Sequence, residues 1–518
     1  MRRVICAAAA ALAALCASPA AAEFLPRPQD IATADERSIA TELAQDLMRP
    51  AADAGEALAR LDAFLPRLRQ PTRLRGLLQF LRGSALEAAD RDAEAREPLE
   101  ESIRLLPGYS APLLIASRLE AYSDRPAPAA DYLLRASEID PHLVARIDDY
   151  EVFNIVHRLR QQQDQRRLSQ LAERLFAIGW LGEGIALRSS LALEAIRERI
   201  HAGDTDGVRA LLPRLVVPRH VQALLTQNRY SAVWQELERW AGPQQRNLWP
   251  QYLLETRSKW RATRDPERAR EYVTALQEAG HLATLADEML PAFGPSLHRE
   301  RDYDLIWAVS PLADALARLG RWEDLERLFA RASQVWPLEL DANAINITGN
   351  QARFRLYRGD AAGALAGLDR TIAHARRWPG QVSGGALATM HFYRACALQE
   401  LGRRADALDS VSVVMSQPQA PVAIAGLQIC FGEHEAARAL LLAALQQEEL
   451  RSEVIFFLQP DDSPPYQSDY GRLIAGRTAA LRADPALRAA VERHGRIMPE
   501  PLNAGAPAEE RAAPEAPR

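Results

Sequence analysis

The sequence predicts an all-α protein in which helix–turn–helix units follow one another along the chain. Three observations support this prediction: alanine and leucine dominate the composition, a pattern of small and bulky residues returns after 34 residues, and glycine recurs between helical segments. Alanine and leucine are strong helix formers, and small residues at regular spacing let neighbouring helices pack closely. Apolar residues make up 48% and charged residues 25% of the chain, which is normal for a sequence that folds.

The first 22 residues have the parts of a secretory signal. A basic start, MRR, precedes the apolar stretch VICAAAAALAALCA, and AAA at 20–22 offers the small residues that signal peptidase requires. We expect cleavage after Ala22 and export to a bacterial periplasm; a membrane anchor is the alternative. The formal charge then changes from −5 to −7, because Arg2 and Arg3 are removed. No later apolar run approaches the ~18 residues of a membrane span, so we expect no transmembrane segment in the mature chain.

Residues 23–70 contain helical segments interrupted by prolines and are predicted to form an N-terminal helical cap. The repeat pattern follows from residue 71. The segments ALEAADRDAEAREPLEESIRLLP, from Ala85, and EAYSDRPAPAADYLLRASEIDP, from Glu120, share a small, bulky, small, proline order. The matching residues are Ala95 with Ala129, Leu99 with Leu133, Ser102 with Ala136, and Pro107 with Pro141. Proline ends the second helix of each unit, because it has no N–H to donate.

Four later segments test this pattern independently, and each carries a glycine where the first helix should turn into the second. Alanine stands seven residues before each glycine and a large apolar residue nine residues after it. The turn glycines are Gly320, Gly359, Gly402 and Gly432. In the two N-terminal units Asp90 and Asp124 take the place of the glycine.

This pattern resembles the tetratricopeptide repeat over roughly residues 75–450. The resemblance implies a right-handed superhelical array, with repeats at 71–144 and 306–450 and degenerate helical repeats at 145–305. The glycine spacings of 39, 43 and 30 depart from a uniform 34. In the degenerate part, LLTQNRYSAVWQELERW is a fair match with Asn228 at the turn, and IHAGDTDGVRALLPRL is a poor one.

The C-terminal region breaks the repeat. Residues 451–498 are predicted to form a loop and a capping helix, because SEVIFFLQPDDSPPYQSDYGR carries three prolines and Asp484 with Pro485 is a helix start. Residues 499–518 are rich in proline, alanine and glutamate with few large apolar side chains, so disorder is expected there.

Two cysteines remain after signal removal, Cys396 and Cys430. The simpler interpretation is two buried small side chains on successive helices, and a disulfide between them is possible in an oxidising compartment. We found no nucleotide loop, nucleophile elbow or metal-ligand spacing, so we expect no enzyme activity, no metal and no cofactor. Positive charge is nearly all arginine without a broad basic face, so nucleic acid is not an expected partner.

Four tryptophans fall within 27 residues and alternate with arginines. The residues are Trp234, Trp240, Trp249 and Trp260, with Arg239, Arg246, Arg257 and Arg261. If exposed, they would suit sugar rings or a protein partner; otherwise they fill gaps between irregular helices.

The family resemblance also implies where a partner binds. In tetratricopeptide proteins the first helix of each unit lines a groove, and the groove positions carried onto this chain are Trp307, Asp314, Arg318, Asn346, Arg353, Tyr357, Gln399 and Glu400. The expected function is therefore a periplasmic scaffold that binds a protein or peptide in this groove. The alternative is an accessory protein of envelope glycan or the cell wall, and an enzyme is the third class.

Overall fold

The structure is a computed structural model that describes residues 26–182, 184–378, 381–416 and 420–509. These residues form twenty-eight α-helices with short 3-10 helices between them. Within that described part, strand-like pairing is limited to an isolated bridge between Gln227 and Gly495. The predicted all-α class is confirmed. The signal peptide predicted at 1–22 lies outside the described residues.

Two compact units divide the chain, unit 1 over residues 1–198 and unit 2 over residues 199–518. The helices that begin in unit 1 are α1 (Pro28–Ile31), α2 (Arg37–Leu47), α3 (Ala54–Phe64), α4 (Arg73–Ala88), α5 (Asp92–Leu105), α6 (Ala111–Tyr122), α7 (Pro126–Ile139), α8 (Pro141–Val144), α9 (Asp149–Gln161), α10 (Gln165–Ala177) and α11 (Ile185–His201).

Unit 2 contains the remaining helices. They are α12 (Thr205–Leu211), α13 (Pro218–Leu225), α14 (Trp234–Ala241), α15 (Trp249–Thr263), α16 (Pro266–Ala279), α17 (Leu282–Met289), α18 (Val309–Arg318), α19 (Trp322–Val335), α20 (Ile345–Arg358), α21 (Ala361–Ala375), α22 (Gly384–Glu400), α23 (Leu408–Met415), α24 (Pro421–Phe431), α25 (His434–Leu445), α26 (Glu448–Phe457), α27 (Asp469–Arg482) and α28 (Pro485–Glu492).

Consecutive helices pack as antiparallel pairs, and small residues set their distance. A Cβ atom on Gly83 would lie 2.7 Å from the Leu99 side chain, and one on Gly76 would lie 2.7 Å from Leu105. Later residues of α4 therefore lie against earlier residues of α5, so the two helices are antiparallel. The buried alanines Ala95, Ala129 and Ala136 are all fully shielded from solvent, as the small positions of the repeat predict.

The turns between paired helices share one backbone geometry. Asp90 and Asp124 have φ values of 57° and 59°, so they adopt the left-handed conformation predicted for a turn residue. Gly320, Gly359, Gly402 and Gly432 have positive φ values as well. After each of them, a backbone N–H returns to the carbonyl five residues earlier, as in Arg91 to Leu86 at 2.9 Å and Arg321 to Leu316 at 2.8 Å. This bond closes the first helix and directs the chain into the second.

The degenerate middle differs from its prediction. The segment that matched poorly has a regular turn, since Gly203 has a φ of 70° and lies between α11 and α12. The segment that matched fairly does not turn at Asn228, which instead begins a 3-10 helix ending at Val233. A glycine that reaches left-handed φ without strain decides the turn more strongly than the apolar pattern around it.

The two ends of the chain also differ in part from the prediction. Helices α1 to α3 lie in the predicted N-terminal cap, but the predicted C-terminal loop is partly helical, because α26 extends to Phe457 and α27 begins at Asp469. Capping helix α28 begins as predicted, with the Asp484 side chain accepting from two backbone N–H groups.

The predicted disordered tail is folded up to Glu509, and the rest of it lies outside the described residues. The Leu502 carbonyl accepts from Gln222 at 2.7 Å, the Pro507 carbonyl lies 2.9 Å from the His281 ring, and the Glu509 carboxylate accepts from the Thr284 N–H. Polar contacts hold this segment in place. The prediction of disorder relied on its lack of large apolar residues and could not detect such contacts.

Candidate partner-binding site

Four of the predicted groove residues come together on the first helices α18 and α20. Asp314 and Arg318 are four residues apart on α18, and Arg353 and Tyr357 are four residues apart on α20. This spacing places each pair on one face of its helix. The Arg318 Nε donates to Asp314 at 2.8 Å, and the Arg353 guanidinium lies 3.9 Å from the same carboxylate.

The ring of Tyr466 occupies this surface. It comes from the segment between α26 and α27 and lies 4.2 Å from the Tyr357 ring, centroid to centroid. The Arg318 guanidinium lies 4.7 Å from the Tyr466 centroid, and the Tyr466 hydroxyl donates to Asp314. The ring is thus held by a tilted contact with the Tyr357 ring, a cation–π contact and a charge-assisted hydrogen bond. The groove predicted to bind a partner holds part of its own chain.

The backbone on either side of Tyr466 is held as well. Arg318 donates from Nη1 to the Pro464 carbonyl at 2.6 Å, and the Ser468 hydroxyl donates to the Tyr357 carbonyl. Residues 461–465 and 467 are exposed, whereas Tyr466 and Ser468 are half-buried and Tyr470 is buried. The side chains of Tyr466 and Ser468 therefore contact the helices, and Gln467 between them stays exposed. We call residues 463–468, SPPYQS, the inserted segment.

Aromatic rings surround the site, and burial among them changes the pKa values of its tyrosine hydroxyls. Tyr357 lies 6.4 Å from Tyr393 and 6.0 Å from Tyr470, centroid to centroid. Burial raises the pKa of the Tyr357 hydroxyl well above its usual value, and it also raises the pKa of Tyr466. Both hydroxyls stay neutral at physiological pH, and that of Tyr466 donates to Asp314.

Arg353 lies over the face of Phe354, with 4.2 Å from guanidinium to ring centroid, and 5.8 Å from Tyr393. Its Nε is buried and has no hydrogen-bond partner among the described residues. The Arg353 guanidinium is therefore held mainly by contacts with the aromatic rings. It also forms a long ion pair with the Asp314 carboxylate. A guanidinium suits this environment better than an ammonium because it is planar and weakly hydrated.

The other four predicted groove residues lie outside this cluster. Trp307 is in a 3-10 helix before α18 and is 36% exposed, with Arg270 at 5.7 Å from its ring centroid. Asn346 is half-buried at the start of α20. Glu400 is exposed at the end of α22, where its charge contributes to the raised pKa of Tyr470 after burial, the larger cause. Gln399 is half-buried beside it.

Sequence reasoning missed Tyr393, Tyr466 and Tyr470, although one signal pointed to two of them. The stretch SPPYQSDYGR places two tyrosines four residues apart after two prolines, just where the repeat stops. Two prolines favour an extended chain, so the following tyrosine is presented away from its own backbone. Only the three-dimensional contact with α18 and α20 shows where it goes.

The tryptophan cluster is mostly buried. Trp249 is 1% and Trp260 is 4% exposed, and Trp234 and Trp240 are half-buried. The Trp234 indole N–H donates to the Leu224 carbonyl at 2.9 Å, and Arg496 covers its ring at 4.2 Å. These residues fill space between irregular helices, which is the alternative that does not require a ligand.

Cys396 and Cys430 are joined in a disulfide with Cα atoms 5.8 Å apart. The bond connects α22 with α24, the first helices of two neighbouring pairs. Tyr470 packs in the same apolar cluster as both cysteines. Arg477, also on α27, donates to the Ile429 carbonyl at 2.9 Å and to the Cys430 carbonyl at 3.1 Å. The helix that follows the inserted segment is thus docked beside the disulfide.

A cavity of about 440 Å³ lies next to the inserted segment. Its lining includes Asp314 and Arg318 from the groove, Pro464 from the segment, His281, and Glu509 near the C-terminus. Within the described ranges, no group of acidic, histidine or cysteine side chains has the arrangement of a metal site. No helix of that part of the chain is both long and apolar enough to cross a bilayer.

No protein-family model matches the sequence, and no curated protein matches it.

Proposed function

We propose that the protein is an exported helical-repeat scaffold of the tetratricopeptide type that binds a protein or peptide partner on the first helices of its helix pairs. One observation supports this most strongly: the predicted groove on α18 and α20 already seats a non-helical stretch of chain, the inserted segment, through Asp314, Arg318 and Tyr357. These are the contacts by which arginine and tyrosine anchor peptides at protein interfaces. A periplasmic location, with removal of residues 1–22, belongs to the same proposal.

The glycan alternative rested on the tryptophan cluster and on the expected compartment, and the burial of Trp249 and Trp260 gives no support to the first of these grounds. The expectations that the protein has no cofactor and is not an enzyme stay predictions. The proposal of a binding role rests on the seated peptide alone.

Site-specific crosslinking in the native host tests the proposed function. A photo-crosslinking residue replaces Trp307 or Glu400, which lie on or next to first helices and reach solvent. Matched controls replace Arg327 on α19 and Glu435 on α25, whose side chains are 70% and 79% exposed on second helices.

We expect the same protein partner to be captured from the first-helix positions and not from the second-helix positions. Reversal of charge at Glu400 should reduce that capture, whereas reversal at Glu435 should not. Equal capture from both sets of helices, or capture of no defined protein, contradicts the proposal.

A further inference from the structure

Unit 1 carries a second copy of the arginine–tyrosine pair found in the groove of unit 2. Arg118 and Tyr122 stand six and two residues before the turn residue Asp124, the same positions that Arg353 and Tyr357 hold before their turn glycine. Both turn residues have left-handed φ. The two pairs therefore have the same place at the end of a first helix, α6 in unit 1 and α20 in unit 2.

A further aromatic ring packs near each arginine–tyrosine pair, from α9 in unit 1 and from α22 in unit 2. Tyr150 on α9 lies 6.4 Å from Tyr122, centroid to centroid, and Tyr393 on α22 lies 6.4 Å from Tyr357. In unit 1 Phe153 and His157 continue the row, with stacked rings 5.6 Å apart.

The rings of unit 1 are uncovered. Tyr122 is 48%, Tyr150 57% and Phe153 42% exposed. Three large aromatic side chains in one exposed patch are unusual for a surface that binds nothing. We call Tyr122, Tyr150, Phe153 and His157 the aromatic face.

Carboxylates lie beside the aromatic face. Arg118 donates to both oxygens of Glu87, at 2.6 and 2.8 Å, and to Glu151 at 3.3 Å. A carboxylate oxygen can accept more than one hydrogen bond, so the Glu87 and Glu151 carboxylates can each accept a further one from a hydroxyl group. In unit 2 the carboxylate of Asp314 accepts from the Tyr466 hydroxyl in the corresponding way.

We propose that the aromatic face binds an extended, proline-containing peptide through a tyrosine, with the peptide's ring packed on Tyr122 and its hydroxyl donating to Glu87 or Glu151. The inserted segment SPPYQS is the pattern for this ligand, since it binds the corresponding pair in unit 2. Prolines before the tyrosine fix an extended backbone before binding and so reduce the entropy lost on association. This inference rests on the proposed function and names the class of partner.

The experiment uses the whole mature protein and a fluorescently labelled peptide SPPYQS with blocked ends, followed by anisotropy. We expect saturable binding to the wild type, and about a tenfold loss of affinity for Tyr122→Ala, because interface tyrosines contribute of this order. Replacing the tyrosine of the peptide by alanine should abolish binding. Met48→Ala removes an exposed apolar side chain of the same unit, 76% exposed, and should leave the affinity unchanged.

Three results overturn the inference: no saturable binding to the wild type, equal affinity for folded Tyr122→Ala, or equal binding of the alanine peptide. If Tyr122→Ala lowers the melting temperature, Tyr150→Ala at the more exposed position makes the same test. Loss of binding on mutation of unit 1 excludes exchange of the peptide with the inserted segment of unit 2. A partner captured at Glu400 without peptide binding contradicts only this inference. Peptide binding without any captured partner contradicts only the proposed function.

Discussion

Unit 1 and unit 2 place an arginine and a tyrosine in the same positions before a left-handed turn, yet one pair is open and the other is covered. Tyr122 is about half-exposed, whereas Tyr357 is covered by the ring of Tyr466, from a segment more than a hundred residues later in the chain. The repeat therefore fixes the geometry of such a pair, and distant sequence decides whether it is accessible. Unit 2 is also crosslinked by a disulfide, and the described part of unit 1 contains no cysteine.

Removal of the disulfide should produce the largest difference in behaviour between the two units. Closing a loop of 34 residues stabilises the folded state by about 4 kcal/mol in the chain-entropy model. We expect Cys396→Ser with Cys430→Ser to increase amide hydrogen exchange in α22, α24 and α27 and to leave α6 and α9 of unit 1 unchanged. An increase spread equally over both units would contradict a stabilising effect confined to the helices around the disulfide.

The pH dependence of stability should also differ between the two units. Burial raises the pKa of Glu278 to about 7, against partial compensation by Arg219, which lies 3.7 Å away. Between the ordinary carboxyl pKa and about 7, the folded state binds more protons than the unfolded state, so the stability of unit 2 falls as pH rises through this range.

Glu278→Gln should remove this slope and stabilise unit 2 at pH 8 by about 3 kcal/mol relative to the wild type, with little effect at pH 4. Denaturant unfolding of the variant and the wild type at both pH values checks this. Glu101→Gln in unit 1 is the contrasting variant: the hydrogen bond from Arg75 lowers the pKa of the Glu101 carboxyl, so removing its charge should lower stability at neutral pH. A pH-independent effect of Glu278→Gln would show that ionisation is not the cause.

Uncovering the pair of unit 2 is the most direct test of the comparison. Tyr466→Ala removes the ring contact with Tyr357, the cation–π contact with Arg318 and the hydrogen bond to Asp314. We expect a loss of about 2 kcal/mol and a second binding site for the SPPYQS peptide. Tyr122→Ala, at an open position, should cost less than about 0.5 kcal/mol. Equal destabilisation by both substitutions would contradict the difference between the units.

The sequence predicted the all-α class and the turns within helix pairs because these features are local. Asp90, Asp124 and the four turn glycines all have left-handed φ, since alanine spacing and a turn residue are enough to specify a short helix–helix connection. The prediction failed at Asn228, which begins a 3-10 helix, whereas the segment that matched the repeat poorly turns at Gly203.

The candidate site was predicted only in part, and for a different reason. Resemblance to a repeat family identified Asp314, Arg318, Arg353 and Tyr357, because their positions before the turn are fixed by the repeat. It could not identify Tyr466, because no periodicity links the inserted segment to α18 and α20. Contacts between elements far apart in sequence, including those of Leu502 and Pro507, carry no local signature.

Tyr466→Phe gives the smallest and sharpest test, because it keeps the ring and removes only the hydroxyl. The Tyr466 hydroxyl donates to Asp314, which also pairs with Arg318 at 2.8 Å, so its loss leaves the carboxylate still charged and partnered. We expect a loss of about 1 kcal/mol, the usual net value for one hydrogen bond, and no new peptide site. Thermal unfolding measures the first and anisotropy the second. If Tyr466→Phe opened the site as fully as Tyr466→Ala, the hydroxyl rather than the ring would hold the inserted segment, and the open ring of Tyr122 would not suffice as the main anchor in unit 1.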